Sequence, residues 1–532
     1  MCFKFNLLEK AIKQKPQIFL KNITFNDGSR IKLNRNSIIV FTGPNNSGKS
    51  QVLKDVENSL NASYYDPKIV LKSIDTEFLG EINEKIFLSN HFISLGNQQY
   101  QPNCSGISFS EESLLSKWRE QKLDDNILNL FVKRLCTEKR LTESEALNRN
   151  FYPERHSLYR LYRNQEIEQI VSDYFHQAFG VDLILNRFAI QHIPLHVGIA
   201  PDKKAYTMEM QNAYYEEVAK LPKLEDQGDG MRSFASILLD TFTSDYNITM
   251  VDEPEAFLHP PQARMLGKML AKNNPTDRQL FISTHSEDFL QGLLDADNEN
   301  VTVIRISRDK DLNKMSVLNN SEIKELWGNP ILRYSNILSG LFHEKVVVCE
   351  SDYDCLFYQA VMNAIFESKN EIAPDILFTH CGGKNRVKDV VKALKAVNVP
   401  VAAICDFDLL NNKTVFKQLA EAFGSKWNES LQTDMKIIYD NTNAKGVDFW
   451  KQIKKIGKFG FTGDSAVAYE NVEKSCKSFG LFVVPFGEME CFDKTINKEK
   501  KDWVYEVLEK YKLAEEPKLK NARSFISEVV CL

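Results

Sequence analysis

The stretch that decides the fold is G-P-N-N-S-G-K-S at residues 43–50. An apolar run at residues 38–41 precedes it, and a helical pattern begins at Gln51. A strand, a glycine-rich loop and a helix in this order are typical of a P-loop, in which backbone N–H groups and the helix N-terminus surround phosphate oxygens. Lys49 would contact the terminal phosphates of ATP, and Ser50 would bind Mg²⁺. The predicted nucleotide-binding residues are Gly43, Asn45, Asn46, Ser47, Gly48, Lys49 and Ser50.

Two downstream segments supply the acids and the histidine that ATP hydrolysis needs. Residues 248–251 form a short apolar strand that ends in Asp252 and Glu253. Asp252 can hold Mg²⁺ through water, and Glu253 can polarise the water that attacks the γ-phosphate. A further strand at residues 279–282 ends in Ser-Thr-His-Ser, so His285 can sense the γ-phosphate. A capping box for the next helix explains the same polar residues, and both interpretations can hold together.

A glycine-rich segment, Q-G-D-G-M-R-S at residues 227–233, opens an apolar helix between these pieces. Gly228 and Gly230 would form an anion site that needs no side chain, although a simple helix N-cap turn is the alternative. The order of P-loop, glycine-rich signature, D-E strand and T-H strand resembles the ABC-type ATPases of the SMC kind. That resemblance implies that Gly228 and Gly230 of one subunit close over ATP held by another, in a homodimer or higher oligomer. The usual signature of that family starts Ser-Gly-Gly, which this chain lacks.

The interval from about residue 60 to about residue 200 carries none of these motifs. Helical apolar spacing at residues 112–118 and 126–133 predicts a largely helical insertion that could serve dimerisation. His192 and His196 have a helix-like spacing, but Pro194 lies between them. We expect packed or surface histidines there, not metal ligands.

A second α/β pattern begins at residue 345, and its strands end in acids. The apolar runs at residues 345–349, 376–378, 399–404 and 481–484 alternate with helical segments, which predicts a parallel sheet. Acids at the carboxyl ends of parallel strands converge on one crevice and repel each other unless a cation is bound there, for which Mg²⁺ or Mn²⁺ is suited. Helix capping is the alternative for a single acid such as Asp352. The candidate metal ligands are Glu350, Asp354, Asp406, Asp408, Glu488 and Glu490.

This half of the chain resembles a Toprim domain, whose signature is a strand-end glutamate followed by D-x-D on a later strand. Glu350 matches the glutamate, and Asp406 with Asp408 match the D-x-D. The glutamate is usually followed by glycine, whereas this chain has Ser351. The segment G-E-M-E at residues 487–490 resembles the G-x-x-E element of the nuclease branch. The resemblance implies a catalytic set of Glu350, Asp406 and Asp408 that binds divalent metal.

An SMC-like ATPase followed by a Toprim domain is similar to the OLD (overcoming lysogenization defect) nucleases, which include Gabija-type and retron-associated anti-phage effectors. The resemblance implies an ATP-regulated, metal-dependent DNA endonuclease in bacterial defence, with a further protein or RNA partner such as a retron reverse transcriptase and its nucleic acid. It also implies a basic residue that assists cleavage, for which Lys494, Lys518 and Lys520 are candidates. The expected domains are the ATPase at residues 1–310, a linker at 311–344 and the Toprim domain at 345–532.

Two other classes of protein fit parts of the pattern. A non-catalytic SMC-like DNA-binding ATPase or scaffold would keep the P-loop and carry a degenerate Toprim domain. A Toprim enzyme that makes reversible breaks would need a catalytic tyrosine on an additional domain, and no such domain fits after residue 345. Metal-dependent DNA cleavage separates the nuclease from the scaffold.

Composition places few further limits on function. The chain has 532 residues, with 67 Lys and Arg against 72 Asp and Glu, so DNA must be met by a local basic patch. Residues 449–459 mix lysines with aromatic residues and could bind phosphates, although an amphipathic helix with a solvated lysine face explains them equally well. The ten scattered cysteines, the charged N-terminus and the lack of a long apolar run predict a cytoplasmic protein outside the membrane.

Overall fold

In the computed structural model, the described residues are 15–63, 67–102, 106–142, 145–148, 156–189, 191–201, 208–310, 312–318, 338–444 and 446–531. The chain forms two compact units, and the main division between them falls after residue 320. Most of the expected linker at residues 311–344 lies outside the described residues. No helix in the described ranges is long and apolar enough to cross a bilayer.

The first unit contains the following strands: β1 Gln17–Phe25, β2 Arg30–Lys32, β3 Ile38–Thr42, β4 Leu71–Leu79, β5 Phe92–Gly96, β6 Gln99–Pro102, β7 Phe109–Ser110, β8 Val132–Leu135, β9 Leu147–Asn148, β10 Asp182–Leu185, β11 His192–Ile193, β12 Leu195–Gly198, β13 Ile248–Asp252, β14 Gln279–Ser283, β15 Val301–Asp309 and β16 Leu312–Leu318. Its helices are α1 Lys49–Leu60, α2 Lys85–His91, α3 Glu111–Arg119, α4 Asp125–Leu128, α5 Thr137–Thr142, α6 Ser157–Arg163, α7 Gln165–Phe179, α8 Met208–Val218, α9 Asp229–Thr243, α10 Pro260–Asn273 and α11 Glu287–Asp295.

A six-stranded sheet in the order β16-β15-β3-β14-β13-β8 forms the centre of the first unit. All neighbours pair in parallel except β16, which is antiparallel to β15. Strands β3 and β14 are buried at every residue, as expected for parallel strands covered on both faces. In the register, Ser283 lies opposite both Asp252 and Phe41. The sheet therefore brings the P-loop, the D-E segment and the T-H segment to one edge.

The interval from residue 60 to residue 200 is mixed, not largely helical. Strand β4 pairs with β1, and β8 is the edge strand of the central sheet beside β13. Residues 126–133, expected to form one helix, contain the end of the single-turn helix α4 and the start of β8. Val132 and Leu135 are buried in β8, so pairing with a distant strand outweighs the local helical spacing. His192 is exposed in β11, and the buried His196 places Nδ1 2.8 Å from Leu221 O.

The second unit is built on a four-stranded sheet in the order β18-β17-β19-β20, and every neighbouring pair is parallel, as predicted. The strands are β17 Lys345–Cys349, β18 Ile376–His380, β19 Val401–Cys405 and β20 Leu481–Val483. The helices are α12 Asp352–Ser368, α13 Lys384–Ala396, α14 Lys413–Ala422, α15 Glu429–Ala444, α16 Gly446–Ile456, α17 Asp464–Phe479, α18 Lys500–Lys510 and α19 Lys520–Cys531.

An aromatic core holds α12, α18 and α19 together on this sheet. The rings of Phe357 and Trp503 meet edge to face at 5.1 Å, and Tyr358 packs against Phe525. Every cysteine within the described ranges is free, and those at the ends of β17 and β19, Cys349 and Cys405, are buried. The core therefore fixes the strand ends from which the acidic residues emerge.

Candidate nucleotide and metal sites

The P-loop between β3 and α1 has a backbone that favours glycine. Gly43 and Gly48 have φ angles of 141° and 100°, and Asn46 also has a positive φ of 60°. A Cβ at Gly48 would lie 3.1 Å from Asn313 Nδ2, and this amide donates a hydrogen bond to Ser47 O at 2.5 Å. Asn313 on β16 thus fixes the loop, and no motif marks this residue in the sequence.

Ser50 and Asp252, the two predicted Mg²⁺-binding residues, are in direct contact. Ser50 Oγ donates to Asp252 Oδ1 at 2.7 Å, and the Ser283 hydroxyl donates to the same carboxylate oxygen. Hydroxyl and carboxylate oxygens are the hard ligands that Mg²⁺ prefers. Ser50 would bind the ion directly, next to the phosphates of ATP, and Asp252 would hold it through water.

Glu253 and His285 lie together at the same edge of the sheet. His285 Nδ1 is 3.3 Å from Glu253 Oε1, and both side chains are partly exposed. Glu253 has a φ of 49°, a left-handed conformation that is uncommon outside glycine, and its N–H bonds to Ser283 O at 2.9 Å. Ser286 caps the helix after β14, because its Oγ accepts from Phe289 N, but N3 is a phenylalanine and so the expected capping box is not formed. The capping and γ-phosphate interpretations are therefore compatible.

Glu255 is a buried residue that the motifs did not mark. Its Oε1 accepts from Thr284 Oγ1 at 2.8 Å and from His285 N at 3.0 Å. Burial raises the pKa of Glu255, although these hydrogen bonds oppose the shift. The carboxyl ties the loop after β13 to the loop after β14, and so it positions His285. The available signal was the E-P-E spacing at residues 253–255.

Arg140 on α5 is buried completely and joins the acidic strand to the signature helix α9. Its guanidinium donates to Asp252 O, to Glu253 O at 2.8 Å and to Ser233 Oγ at 3.1 Å. Burial lowers the pKa of Arg140, while Glu255 and then Asp252 oppose that shift. This arginine lies in the interval that the sequence marked only as an insertion.

The two signature glycines differ in their surroundings. Gly228 is the N-cap of α9, which has no side-chain cap, and a Cβ at Gly228 would meet nothing within 4 Å. A Cβ at Gly230 would lie 2.6 Å from Phe257 O, so close packing against that backbone requires glycine. The N-cap interpretation therefore describes Gly228 and a packing role describes Gly230. Contact with ATP of a second subunit stays a prediction.

In the second unit, the parallel sheet brings the three acidic motifs together. Glu350 follows β17 and accepts a hydrogen bond from Asp406 N at 3.1 Å. Phe407 N donates to Gly487 O at 2.8 Å, which joins the D-x-D segment to the G-E-M-E segment. Residues far apart in the chain thus meet at one edge of the sheet, as the parallel strand order predicts.

The carboxyl groups at this edge behave as a partly desolvated cluster of like charge. Burial, and then the charge of Glu350, raises the pKa of Asp406 to about 9. Burial also raises the pKa of Glu350 to about 7, with Asp408 adding to the shift and the Asp406 N–H opposing it. Ser351 is the N-cap of α12 and forms a capping box with Asp354, so these two residues cap the helix and Asp352 does not. A cation is the natural partner of such a cluster.

Two lysines that were not among the predicted site residues contact the acids. Lys384 Nζ lies 2.7 Å from Asp408 Oδ2, and Lys454 pairs with Glu488. Glu490 Oε1 instead accepts from Lys500 N at 2.5 Å. The signals in the sequence were the G-G-K turn at residues 382–384 and the basic stretch that contains Lys454.

The lysines proposed to assist cleavage lie at different places in the second unit. Lys494 follows the G-E-M-E segment and donates to Lys455 O. Lys518 Nζ bonds to Thr495 Oγ1 at 2.9 Å, and Lys520 is exposed at the start of α19. Lys494 therefore follows the acidic motifs most directly in sequence, and its role stays a prediction, as does that of Lys520.

The acidic residues fit a hard divalent cation chemically, although they are not yet arranged around one. Within the described ranges, no three His, Cys, Asp or Glu side chains already form a ligand set for a metal ion. Asp408 Oδ1 is nevertheless buried without a hydrogen-bond partner. The raised pKa values of Glu350 and Asp406 show that nearby positive charge does not fully compensate for the burial of these carboxyls. Glu350, Asp406, Asp408 and Glu488 are the residues that would hold the metal, and the roles of Asp354 and Glu490 as ligands stay predictions.

We expect metal binding at these acids to release protons and to tighten as pH rises. The pKa values of Glu350 and Asp406 are raised to about 7 and about 9 from the ordinary 4.5 and 3.8, so metal must displace protons from both. The metal-free fold accordingly loses stability as pH rises through about 7 and then 9. Calorimetric Mn²⁺ titration should show affinity rising up to about tenfold per pH unit for each proton released. An affinity unchanged between about pH 6 and pH 8 would contradict these protonation states, and Asp406→Asn should release fewer protons.

Two family models match the chain in the order of its two units. One, described as an AAA domain, putative AbiEii toxin, Type IV TA system, matches residues 38–290. The other, described as the TOPRIM domain of overcoming lysogenization defect protein-like proteins, matches residues 341–408. The chain thus carries an AAA-type ATPase domain followed by an OLD-like Toprim domain. The second match includes Glu350, Asp406 and Asp408, and the expected α/β fold of both halves is confirmed.

A curated relative and several solved structures resemble parts of this chain at low sequence identity. The OLD nuclease of Thermus scotoductus is 23% identical over 275 residues, which are 48% of this chain and 49% of the relative. The chain thus spans about half the length of the curated relative it matches. Among solved structures, an SMC head bound to the C-winged helix domain of ScpA is 12% identical with a TM-score of 0.36, covering 58% of this chain and 99% of that one. The SMC head domain from Thermotoga maritima is 11% identical with a TM-score of 0.29, covering 57% and 98%.

Proposed function

We propose that this protein is a DNA endonuclease whose cutting needs divalent metal and is regulated by ATP. The observation that carries the proposal is the meeting of Glu350, Asp406 and Asp408 at one edge of a parallel sheet within a Toprim match. Divalent metal bound there would stabilise the attacking and leaving oxygens of a phosphodiester. The partly buried carboxyls would orient the metal, and Lys494, Lys518 or Lys520 would stabilise charge on the scissile phosphate.

The first unit would set the state of the nuclease through ATP. Lys49 and the P-loop backbone would hold the phosphates, and Glu253 would polarise the attacking water with His285 beside it. The open N-terminus of α9 at Gly228 supports a homodimer in which this helix meets ATP of the partner. The domain order supports a role in anti-phage defence with a further partner protein or RNA, and the scattered cysteines support a cytoplasmic location.

Cleavage of supercoiled plasmid tests the proposal. We expect open-circular or linear DNA with Mg²⁺ or Mn²⁺, none with chelator, and a rate that changes among ATP, a non-hydrolysable ATP analogue and no nucleotide. The lysine pairing of Asp408 and Glu488 favours one alternative, an SMC-like scaffold with a degenerate Toprim domain. DNA binding without cleavage in either metal and in every nucleotide state would establish that alternative.

A further inference from the structure

Two lysines from separate helices hold the acids of the second unit. Lys384 is the first residue of α13, and Lys454 lies near the end of α16. Lys384 Nζ is 2.7 Å from Asp408 Oδ2, and Lys454 Nζ is 3.9 Å from that same oxygen while it pairs with Glu488. The two ammonium groups therefore neutralise two of the four carboxylates that would bind metal.

A divalent metal ion and the two ammonium groups cannot bind Asp408 and Glu488 at the same time in the present arrangement of the side chains. A divalent ion on Asp408 or Glu488 would lie within a few ångströms of one or both lysine charges, in a partly buried site where repulsion is weakly screened. Each ammonium sits on a flexible four-carbon stem and can leave without moving its helix. The lysine side chains are 29% and 34% exposed, so both can reach solvent. Loss of the lysine contacts would therefore open the acids to metal.

The surroundings of Lys384 favour a bound anion as its partner once it has left Asp408. The first turn of α13 has no acid, and it carries Lys384 and Arg386 after an N-cap, Gly383, that provides no side-chain cap. Cations at a helix N-terminus are disfavoured by the helix dipole, and a phosphate there would be stabilised by both the dipole and the lysine. The DNA backbone is the phosphate source that the proposed function supplies.

We propose that Lys384 and Lys454 are internal counter-ions that close the acids to metal until DNA phosphates draw the ammonium groups away. This inference rests on the proposed nuclease function and adds to it a coupling between DNA and metal binding. A protein built in this way binds metal weakly when no DNA is present, and DNA raises its affinity for metal. The coupling restricts the metal-loaded state to protein that already holds a substrate.

The test compares metal affinity and DNA affinity in Lys454→Gln and Lys384→Gln. Without DNA, Mn²⁺ titration calorimetry should show about three- to tenfold tighter binding than in the wild type, because a competing cation is gone. With Ca²⁺ in place of the catalytic metal, fluorescence anisotropy should show weaker binding of a short DNA duplex. The slope of log affinity against log salt should fall by about 0.9 for each lost phosphate contact. A merely structural role for the lysines would weaken both affinities.

Lys455→Gln is the matched control, since Lys455 is the exposed neighbour of Lys454 on α16. Its Mn²⁺ affinity should equal that of the wild type. Folded Lys454→Gln and Lys384→Gln proteins with unchanged or weaker Mn²⁺ affinity would overturn the counter-ion role while leaving the nuclease proposal intact. Failure of the wild type and all variants to bind Mn²⁺ would overturn both, whereas Mn²⁺ binding by the lysine variants alone would support the counter-ions.

Discussion

Asp408→Ala should abolish DNA cleavage by the purified protein and leave its ATP hydrolysis unchanged. Asp408 contributes a predicted metal ligand, and it is the carboxylate that both Lys384 and Lys454 approach. Loss of a metal ligand costs several kcal/mol of transition-state stabilisation, or roughly a thousandfold or more in rate. Plasmid cleavage and phosphate release from ATP, measured on the same preparation, give the two rates.

Asp389→Ala provides a control for the removal of an acid from this unit. Asp389 is exposed on α13, away from the strand ends, so both activities should persist in that variant. Asp408→Asn keeps the size of the side chain and shows whether loss of cleavage comes from lost charge or from lost packing. Wild-type cutting by a correctly folded Asp408→Ala protein would exclude this acid from the chemistry.

Glu253→Gln should bind ATP but hydrolyse it about a hundredfold to ten-thousandfold more slowly than the wild type. The amide fills the same space, and yet it cannot accept a proton from the attacking water beside His285. Lys49→Ala should instead lose tight ATP binding, because the cation that contacts the terminal phosphates is gone. Binding of a fluorescent ATP analogue and steady-state phosphate release distinguish the two defects.

Glu112→Gln is a suitable control because Glu112 is exposed on α3, outside the nucleotide site. It should match the wild type in both measurements. Unchanged ATP turnover in Glu253→Gln would show that another group activates the water. Glu255, which lies behind His285, would then be the first residue to replace.

In both sites, the residues that could be predicted from the sequence are those that lie at or near the end of a parallel strand. Ser50 and Asp252 are brought together by the order of parallel strands, and Glu350 and Asp406 meet for the same reason. Such strands place their carboxyl ends at one edge, so acids after apolar runs can be assigned to a common site without further information. The local sequence pattern and the order of the strands therefore predict the same position for these residues.

The residues that sequence did not predict depend on contacts that no local pattern encodes. Arg140 bonds to the carbonyl of Asp252, which is 112 residues away. The side chain of Lys454 had two expected partners, DNA phosphate or solvent, and it pairs with Glu488. The residues of β8 have helical spacing, but their position beside β13 decides their conformation. Each case is settled by a partner that is distant in the chain.

Arg140 also has a thermodynamic consequence for ligands of the first unit. Its guanidinium bonds to the backbone carbonyls of Asp252 and Glu253, the acids predicted to act on ATP, and to the hydroxyl of Ser233 on α9, so neither element can move without straining buried hydrogen bonds. If ATP binds as predicted, a molecule that shifts α9 when it binds would then change the affinity for ATP. ATP must change the affinity for that molecule by the same factor, because coupling free energy between two binding sites is reciprocal.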